Sequence, residues 1–438
     1  MSLDAEGMHT QAIASRSELE GYFRGGEKPP EKWLLGLEHE KLVYTSEGTP
    51  ITYEGEGGLL SIFQGLEAYG WSPILEVETG NVVGMRRGGA TLSTEPGGQL
   101  EFSGAPRGSA WALHRDNMQH LEELGAVLKA RRLHALMVGY RPFDAVEHVP
   151  YMPRSRYGAM RESLAERGST GALMMLMTAT GQVSLDYSDE ADCVRKVVVL
   201  ARMAPLLVAM FANSPLKGGR LSGHMSFRSH VWNDVDKARC GYLASWFDGS
   251  FSYARYVDWA LDIPLLFLRR GGRYWTPKLS FREFWKGGFK GEEACYSDWV
   301  DHLSTLFPEV RLKQLIEIRS ADSVSPQLTA ALAALLRGTV YAPGALDEVA
   351  LLLPARSLQE HVALHERAQI QGLGFEPLAR DAQALVALAS RNLQAWAPED
   401  AQLLEPLAAL VHERRMPAEA LSACKDMPTL LSRFAMKG

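Results

Sequence analysis

Three short runs in this chain hold residue types that could do chemistry. Thr94-Glu95-Pro96-Gly97-Gly98-Gln99-Leu100-Glu101 places two carboxylates on either side of a Pro-Gly-Gly turn, and Glu101 opens an alternating strand. Upstream, Gly36-Leu37-Glu38-His39-Glu40-Lys41 holds Glu38 and Glu40 two residues apart. Strand side chains alternate faces, so these two acids project to one side. Leu315-Ile316-Glu317-Ile318-Arg319 puts Glu317 and Arg319 on one face and the isoleucines on the other. Carboxylates bunched in this way repel one another unless a cation sits among them, and hard oxygen ligands suit Mg²⁺ or Mn²⁺. A solvated strand edge also carries Glu-x-Glu, and a plain hairpin also turns on Pro-Gly-Gly. Acids at both ends of the turn, and Glu38 and Glu40 following an apolar run, favour the other reading. Glu38, Glu40, Glu95, Glu101 and Glu317 are therefore the metal-ligand candidates of a metal–phosphate site laid on an antiparallel sheet.

Gln182 belongs with them, because Gly181, Val183 and Leu185 alternate against it. It is an amide ligand or phosphate contact, or else a solvent-facing strand residue. Arginine supplies the opposite charge. Arg154, Arg156 and Arg161 cluster around Tyr157, Arg228 precedes Trp232 by four residues, and Arg319 accompanies Glu317. Guanidinium groups match carboxylates and phosphates with two parallel hydrogen bonds. At least one of the Arg154–Arg161 set reads as a solvated side chain. Arg228 and Arg319 sit in apolar alternating runs, where an unpaired charge is costly.

Several other chemistries are excluded. No GxxxxGK[ST] loop is present, and Glu54-Gly55-Glu56-Gly57-Gly58 lacks the GxGxxG spacing. His365-Glu366 and His412-Glu413 do not continue as HExxH and read as helix surface. Cys193, Cys240, Cys295 and Cys424 lack a CxxC spacing, which removes a zinc knuckle and makes neither a disulfide framework nor a reactive thiol an expectation.

The elements that must position these residues follow from periodicity. An amphipathic stretch near Ser15–Phe23 leads through a Gly-Gly and Pro-Pro loop to the first strand. From Leu34 to Gly104, short alternating runs are punctuated by Gly48-Thr49-Pro50, Thr79-Gly80-Asn81, Arg87-Gly88-Gly89 and Pro96-Gly97-Gly98, which favours hairpins. Ser109–Arg132 has helical spacing, Leu133–Tyr140 reads as a buried strand, and Met152–Arg167 as a basic loop entering a helix. Leu173–Asp186 alternates as a strand, Asp189 caps a helix running to Phe211, and Asn213–Trp232 reads as loop and strand. After Pro326 the composition shifts to Ala and Leu in a helical tail. The prediction is an α+β fold with a curved antiparallel sheet of about six strands as the active-site floor, surrounded by helices. It forms a single unit over residues 1–438: an N-terminal helix and loop (1–33), a catalytic core (34–325) and a helical part (326–438).

Of the 438 residues, 46% are apolar and 22% charged, as in an ordinary globular enzyme. A net charge of −6 argues against a nucleic-acid partner, whose footprint would be basic, but leaves room for local basic clusters that hold phosphates. The first twenty residues show no basic segment followed by an apolar run, and no apolar stretch reaches membrane-spanning length. A soluble cytoplasmic protein, monomer or homodimer, without membrane or nucleic-acid partners, is expected.

The motifs also carry a resemblance. GLEHEK (36–41), STEPGGQLEFSGAP (93–106), MPRSRYGAMR (152–161), GQVSLDYSDEADCVRK (181–196), FANSPLKGG (211–219), SFRSHVWNDVDKARCG (226–241) and LFPEVRLKQLIEIRSAD (306–322) follow one another as in the plant-type glutamate–cysteine ligases. That family also occurs in many bacteria and belongs to the carboxylate–amine ligases related to glutamine synthetase. The likeness runs from about Leu34 to Asp322, and seven blocks in order are more specific than any single motif.

The resemblance implies a glutamine-synthetase-like catalytic core and ATP-driven joining of the glutamate γ-carboxylate to the amino group of cysteine through a γ-glutamyl phosphate. It implies two or three Mg²⁺ ions, with Mn²⁺ possible, on the acids. Gln182 and Arg319 would contact ATP, and Arg228 and Arg319 would serve catalysis. Arg228, Trp232, Arg154, Arg156 and Tyr157 would bind substrate. Ligation of glutamate to a different amine, or a non-catalytic nucleotide or amino-acid sensor, are the alternatives. After Arg319 this chain departs from the plant pattern: Ser323-Val324-Ser325-Pro326-Gln327 stands where those enzymes carry a Gly-Gly-Pro-Trp-like piece. Any change of acceptor specificity is expected there.

Overall fold

The structure, a computed structural model, describes residues 11–436. Residues 1–10, half of the stretch read above for a leader, lie outside the described residues. The central sheet has nine strands: β1 (Leu35–Thr45), β2 (Ser72–Leu75), β3 (Val82–Arg87), β4 (Ala90–Thr94), β5 (Leu100–Ser103), β6 (Leu133–Leu136), β7 (Gly181–Leu185), β8 (Val310–Leu312) and β9 (Ile316–Ile318). Their order is β8-β9-β7-β1-β5-β4-β3-β2, with β6 pairing the second half of β1, and every pair is antiparallel. The α+β expectation holds. The extra strands are short pieces, β8 among them, that a periodicity reading merges with their turns.

The helices used below are α1 (Ala110–Ala130), α2 (Ser155–Leu164), α3 (Glu190–Met210), α4 (Phe227–Trp232), α5 (Pro326–Leu336) and α6 (Leu358–Gln371). One face of the sheet is apolar at its centre, where Leu35, Leu37, Val183, Leu185, Ile316 and Ile318 are buried. That face packs under α1, α3 and α5, so the Ala- and Leu-rich tail completes the same core as the strands. Burying each such side chain is worth about 1.5–3 kcal/mol, which anchors the strand register. Asp189 caps α3 by accepting from Asp192 N at 2.8 Å.

Two segments differ from the sequence reading. Leu173–Asp186 is not one strand: Gly171–Met177 is helical before β7 begins. Its Leu and Met side chains are helix formers without branching at Cβ and show no period of two. Arg228 stands on a helix, since Ser226 caps α4 by accepting from Ser229 N and draws SFRSHVW out of the alternating pattern. No helix among the described residues is long and apolar enough to cross a membrane. The four cysteines are unpaired.

Candidate active site

The register of the sheet lines up the predicted residues in rows. Gln182 lies opposite Glu38, and Glu38 opposite Ser103. Glu40 lies opposite Glu101, and Glu101 opposite Ser93. Glu317 lies opposite Ser184 on one side and Arg311 on the other. Opposed residues share a face, and so do residues two apart, so all of these project from the side opposite the apolar core. Neighbouring strands are ~4.8 Å apart, and only β7 separates β9 from β1. Glu38 and Glu317 therefore stand within one site.

Glu95 arrives by the β4–β5 hairpin. Gly98 N donates to Glu95 O at 2.9 Å and Glu95 N to Gln99 O at 2.9 Å, with Gly98 at φ +78°. This is the three-residue hairpin loop whose last position favours glycine. Gly97 is pinned for a different reason. A Cβ there would lie 2.5 Å from Leu176 O, while Gln99 Oε1 accepts Gly97 N and Arg141 Nη2 donates to Gly97 O. Gly97→Ala is therefore expected to destabilise the protein by about 1–3 kcal/mol and to displace Glu95. Urea denaturation together with steady-state turnover checks both effects; wild-type values for both would contradict this packing.

Glu38, Glu40, Glu95, Glu101, Gln182, Arg154, Arg156, Tyr157, Arg228, Trp232 and Arg319 all line one cavity. Arg161 does not: it is exposed and stacks on Tyr151 at 4.7 Å. The cavity has two charged walls. On the acidic wall, Glu40 accepts from Thr180 N at 2.9 Å and Glu101 from Ser103 Oγ at 3.1 Å. Burial, then Glu101 and Glu95, push the Glu40 carboxyl well above its usual range. Burial and Glu101 raise Glu95 to about 8, against the pull of Arg154 and Arg156. Burial, with Glu38, also raises Glu101. Oxygen donors this buried and mutually repelling fit a divalent hard cation. Among the described residues no three His, Cys, Asp or Glu side chains converge as a ligand shell, and Mg²⁺ commonly takes only one or two carboxylates beside waters and phosphate oxygens.

The cationic wall is more extensive than the sequence reading had it. Arg311 and Lys313 join Arg154, Arg156, Arg228 and Arg319 around the cavity. The signal for Arg311 was present: Val310-Arg311-Leu312 and Ile316-Glu317-Ile318 are two alternating runs joined by a short turn. Arg311 Nη2 reaches Glu317 Oε1 at 2.6 Å and Oε2 at 2.8 Å, Lys313 Nζ lies 3.0 Å from Oε2, and Arg319 Nη1 2.5 Å from Oε1. Glu317 is 1% exposed and lies beneath these cations instead of lining the cavity. Burial alone would raise its pKa, but Arg311, Lys313 and Arg319 outweigh that and hold it well below the carboxylate range. Grouped with the metal acids by alternation, Glu317 is the hub of an ion-pair cluster here.

Arg319 also donates to Gln182 Oε1 at 2.8 Å and lies 5.6 Å over the Trp232 ring. Arg228 donates to Arg319 O at 3.0 Å and faces Asp322 at 4.0 Å. Asp322, not singled out in the sequence, accepts from Asn213 N, Ser214 Oγ and Ser226 Oγ at 2.8, 2.7 and 2.8 Å. It thereby ties the cap of α4 to the end of β9. Arg156 donates to Ser304 Oγ at 2.9 Å, and the Tyr157 hydroxyl donates to Thr94 O beside Glu95.

An antiparallel sheet that is acidic and cationic over one cavity and apolar beneath is the fold of a known class of ligases. A solved glutamate–cysteine ligase from Francisella tularensis, in complex with AMP, superposes with a TM-score of 0.55 at 13% identity, covering 91% of this chain and 87% of that one. A bifunctional glutathione synthetase from Pasteurella multocida gives 0.51 at 13% identity, covering 97% of this chain and 53% of that one. The chain belongs to glutamate–cysteine ligase family 2, whose sequence profile matches residues 34–429. The chloroplastic glutamate–cysteine ligase A of Oryza sativa subsp. indica is 36% identical over 417 residues, 93% of this chain and 84% of its own length. The chloroplastic enzyme of Arabidopsis thaliana is 35% identical over 416 residues, 93% of this chain and 79% of its own. These relatives overturn the cytoplasmic expectation: they are chloroplastic by name, and a quiet N-terminal composition does not outweigh them.

Proposed function

We propose that this protein joins the γ-carboxylate of glutamate to the amino group of cysteine at the expense of ATP, giving γ-glutamylcysteine, ADP and phosphate. The observation that carries the proposal is the pair of opposed charged walls around one cavity, in a chain of this family. A carboxylate does not condense with an amine at neutral pH unless it is activated. Attack of a γ-carboxylate oxygen on the terminal phosphorus of ATP gives an acyl phosphate and ADP; the amine then displaces phosphate and loses a proton.

Both partners of the first step are anions, so charge neutralisation and alignment are most of the work. Glu38, Glu40, Glu95 and Glu101 would hold Mg²⁺ or Mn²⁺, which supplies charge neutralisation for the phosphates. Arg319, held by Glu317 and Gln182, presents its remaining N–H groups to the transferring phosphoryl group. Gln182 orients that guanidinium. Arg228 and Trp232 take the α-carboxylate of glutamate; the Trp232 indole N–H has no partner among the described residues and is available as a donor. Arg154, Arg156 and Tyr157 close the cavity from the α2 side. The tail packs on the underside of this sheet, which supports reading the chain as one catalytic unit.

Met160, Met174 and Met175 line the same cavity. Thioethers are polarizable and adaptable, which suits a thiol. Small apolar differences in such a pocket are worth only about 1–3 kcal/mol, so 2-aminobutyrate is expected to be a slower but real acceptor. Phosphate release with glutamate, ATP and each amine in turn tests the proposal. Cysteine should give the highest kcat/KM. Another amine exceeding it by about tenfold or more (~1.4 kcal/mol) would remove cysteine as the acceptor. Phosphate release unaffected by amine would remove ligation altogether.

A further inference from the structure

Behind the wall that carries Arg228 lies a second polar set, in which Ser229, His365 and Gln369 are buried, Tyr242 is half-buried and Asn233 reaches the surface. His365 and Gln369 sit one turn apart on α6, while Ser229 on α4 and Asn233 at its end are likewise four residues apart. That spacing puts each pair on one helix face. His365 Nε2 is 3.0 Å from Ser229 Oγ, and its Nδ1 is 2.7 Å from the Tyr242 hydroxyl. Gln369 Nε2 donates to Ser229 Oγ and to Asn233 Oδ1, each at 3.1 Å, and Asn233 Nδ2 donates back to Gln369 Oε1 at 3.0 Å. The Gln369 carbonyl accepts Met225 N at 2.8 Å and Ser226 N at 3.1 Å, on the residues that lead into α4.

The seam also reaches the backbone of Arg319. Glu309 Oε1 lies 3.8 Å from His365 Nε2, and the Glu309 carbonyl accepts Arg319 N at 3.2 Å. His365 is 5% exposed, so the surface position read from the sequence is wrong. Apolar side chains would hold α4 on α6 without the desolvation that burying these polar groups costs. What a fully bonded polar seam adds is a single register.

We propose that His365 is a positioning residue for the glutamate half of the cavity: through Ser229 it fixes α4 against the helical tail and so sets where Arg228 and Trp232 stand. The inference rests on the reading that those two residues hold glutamate. A neutral imidazole has one donor and one acceptor nitrogen, so it can serve both hydroxyls at once. Glutamine at 365 can put a polar atom near the Nε2 position facing Ser229. Asparagine can put one only near the Nδ1 position facing Tyr242.

The test uses the full-length chain with His365→Leu, His365→Gln, His365→Asn and Arg228→Ala, measuring KM for glutamate, KM for ATP and kcat, with thermal melts for folding. His365→Leu should raise the glutamate KM by about tenfold and change kcat by less than about threefold. Glutamine should recover most of that loss and asparagine should not. A purely structural role would lower the melting temperature and the active fraction while leaving the KM of the folded enzyme alone. A glutamate KM within about twofold of wild type in folded His365→Leu overturns the proposal, as does equal recovery by both amides. If the leucine variant does not fold, Ser229→Ala should raise the glutamate KM and Tyr242→Phe should not; the reverse pattern overturns the proposal. Arg228→Ala separates the two ideas. An unchanged glutamate KM there removes the glutamate reading itself, whereas a raised one beside an unaffected His365→Leu removes only the role of His365.

Discussion

Glu40→Gln should reduce ligation by at least about a hundredfold and at the same time make the metal-free protein more stable. The two effects share one cause. Glu40 is buried beside Glu101 and Glu95, and its carboxyl is held well above the usual range by that burial and repulsion. Glutamine keeps the oxygen that accepts Thr180 N and removes a charge that Arg228 offsets only in part and a bound cation would neutralise. The pH dependence has a fixed sign. An acid whose folded pKa is raised contributes stability below its unfolded value and loses it as pH rises through the folded value. Glu95, moved from 4.5 to about 8, sets the window. In EDTA the wild-type melting temperature should therefore fall between about pH 5 and pH 8. The fall should be smaller in Glu40→Gln and smaller again when Mg²⁺ replaces EDTA. Thermal melts across that range, with and without metal, together with product formation at saturating Mg²⁺, decide it. Near-wild-type turnover would remove Glu40 from the machinery, and an unchanged or lower melting temperature in EDTA would remove the electrostatic account.

The strand residues of the acidic wall were legible because they keep a period of two against neighbours that face the core. Glu38 and Glu40 alternate with Leu37 and His39, and Glu101 with Leu100 and Phe102, so the strands and the face they share follow from the pattern. The cationic wall was less legible. Arg228 lies in a run that alternates as a strand does, yet Ser226 and Ser229 turn it into a capped helix, and local capping outweighed the pattern. Strand partners were invisible for a different reason. Val310–Leu312 and Ile316–Ile318 read as two alternating runs, but that Arg311 is the residue opposite Glu317 is fixed only when the turn at Lys313–Leu315 closes, because cross-strand register belongs to the fold. The seam at His365 was missed on the same ground: its partners lie more than a hundred residues away, and an isolated His-Glu pair on a helix has no periodicity to betray burial.

Glu317→Gln is expected to behave oppositely to Glu40→Gln in stability, although both should impair ligation. Alternation alone groups the two acids and would give them the same response to loss of charge. Their surroundings differ. Glu317 is fully buried among Arg311, Lys313 and Arg319, which hold its carboxyl well below the usual range. Taking away the anion leaves three cations clustered with only the more distant Glu38 carboxylate to offset Arg311. Breaking a buried pair from one side costs about 3–5 kcal/mol, so the variant should unfold at a clearly lower urea concentration with an unchanged slope. The linkage is the mirror image of the acidic wall: a depressed folded pKa gives stability that is present above the unfolded value near 4.5 and lost as pH falls. The destabilisation should therefore be full at pH 7 and shrink toward pH 4. Pairing Glu317→Gln with Arg311→Met should recover part of the loss, because the second change removes one of the stranded charges. Turnover should drop with the single change, since Arg319 loses the partner that aims it. The sign of the stability change in EDTA separates two roles for this carboxylate. A gain would return Glu317 to the metal-binding acids, whereas a loss fixes it as the anchor of the arginines that meet the phosphoryl group.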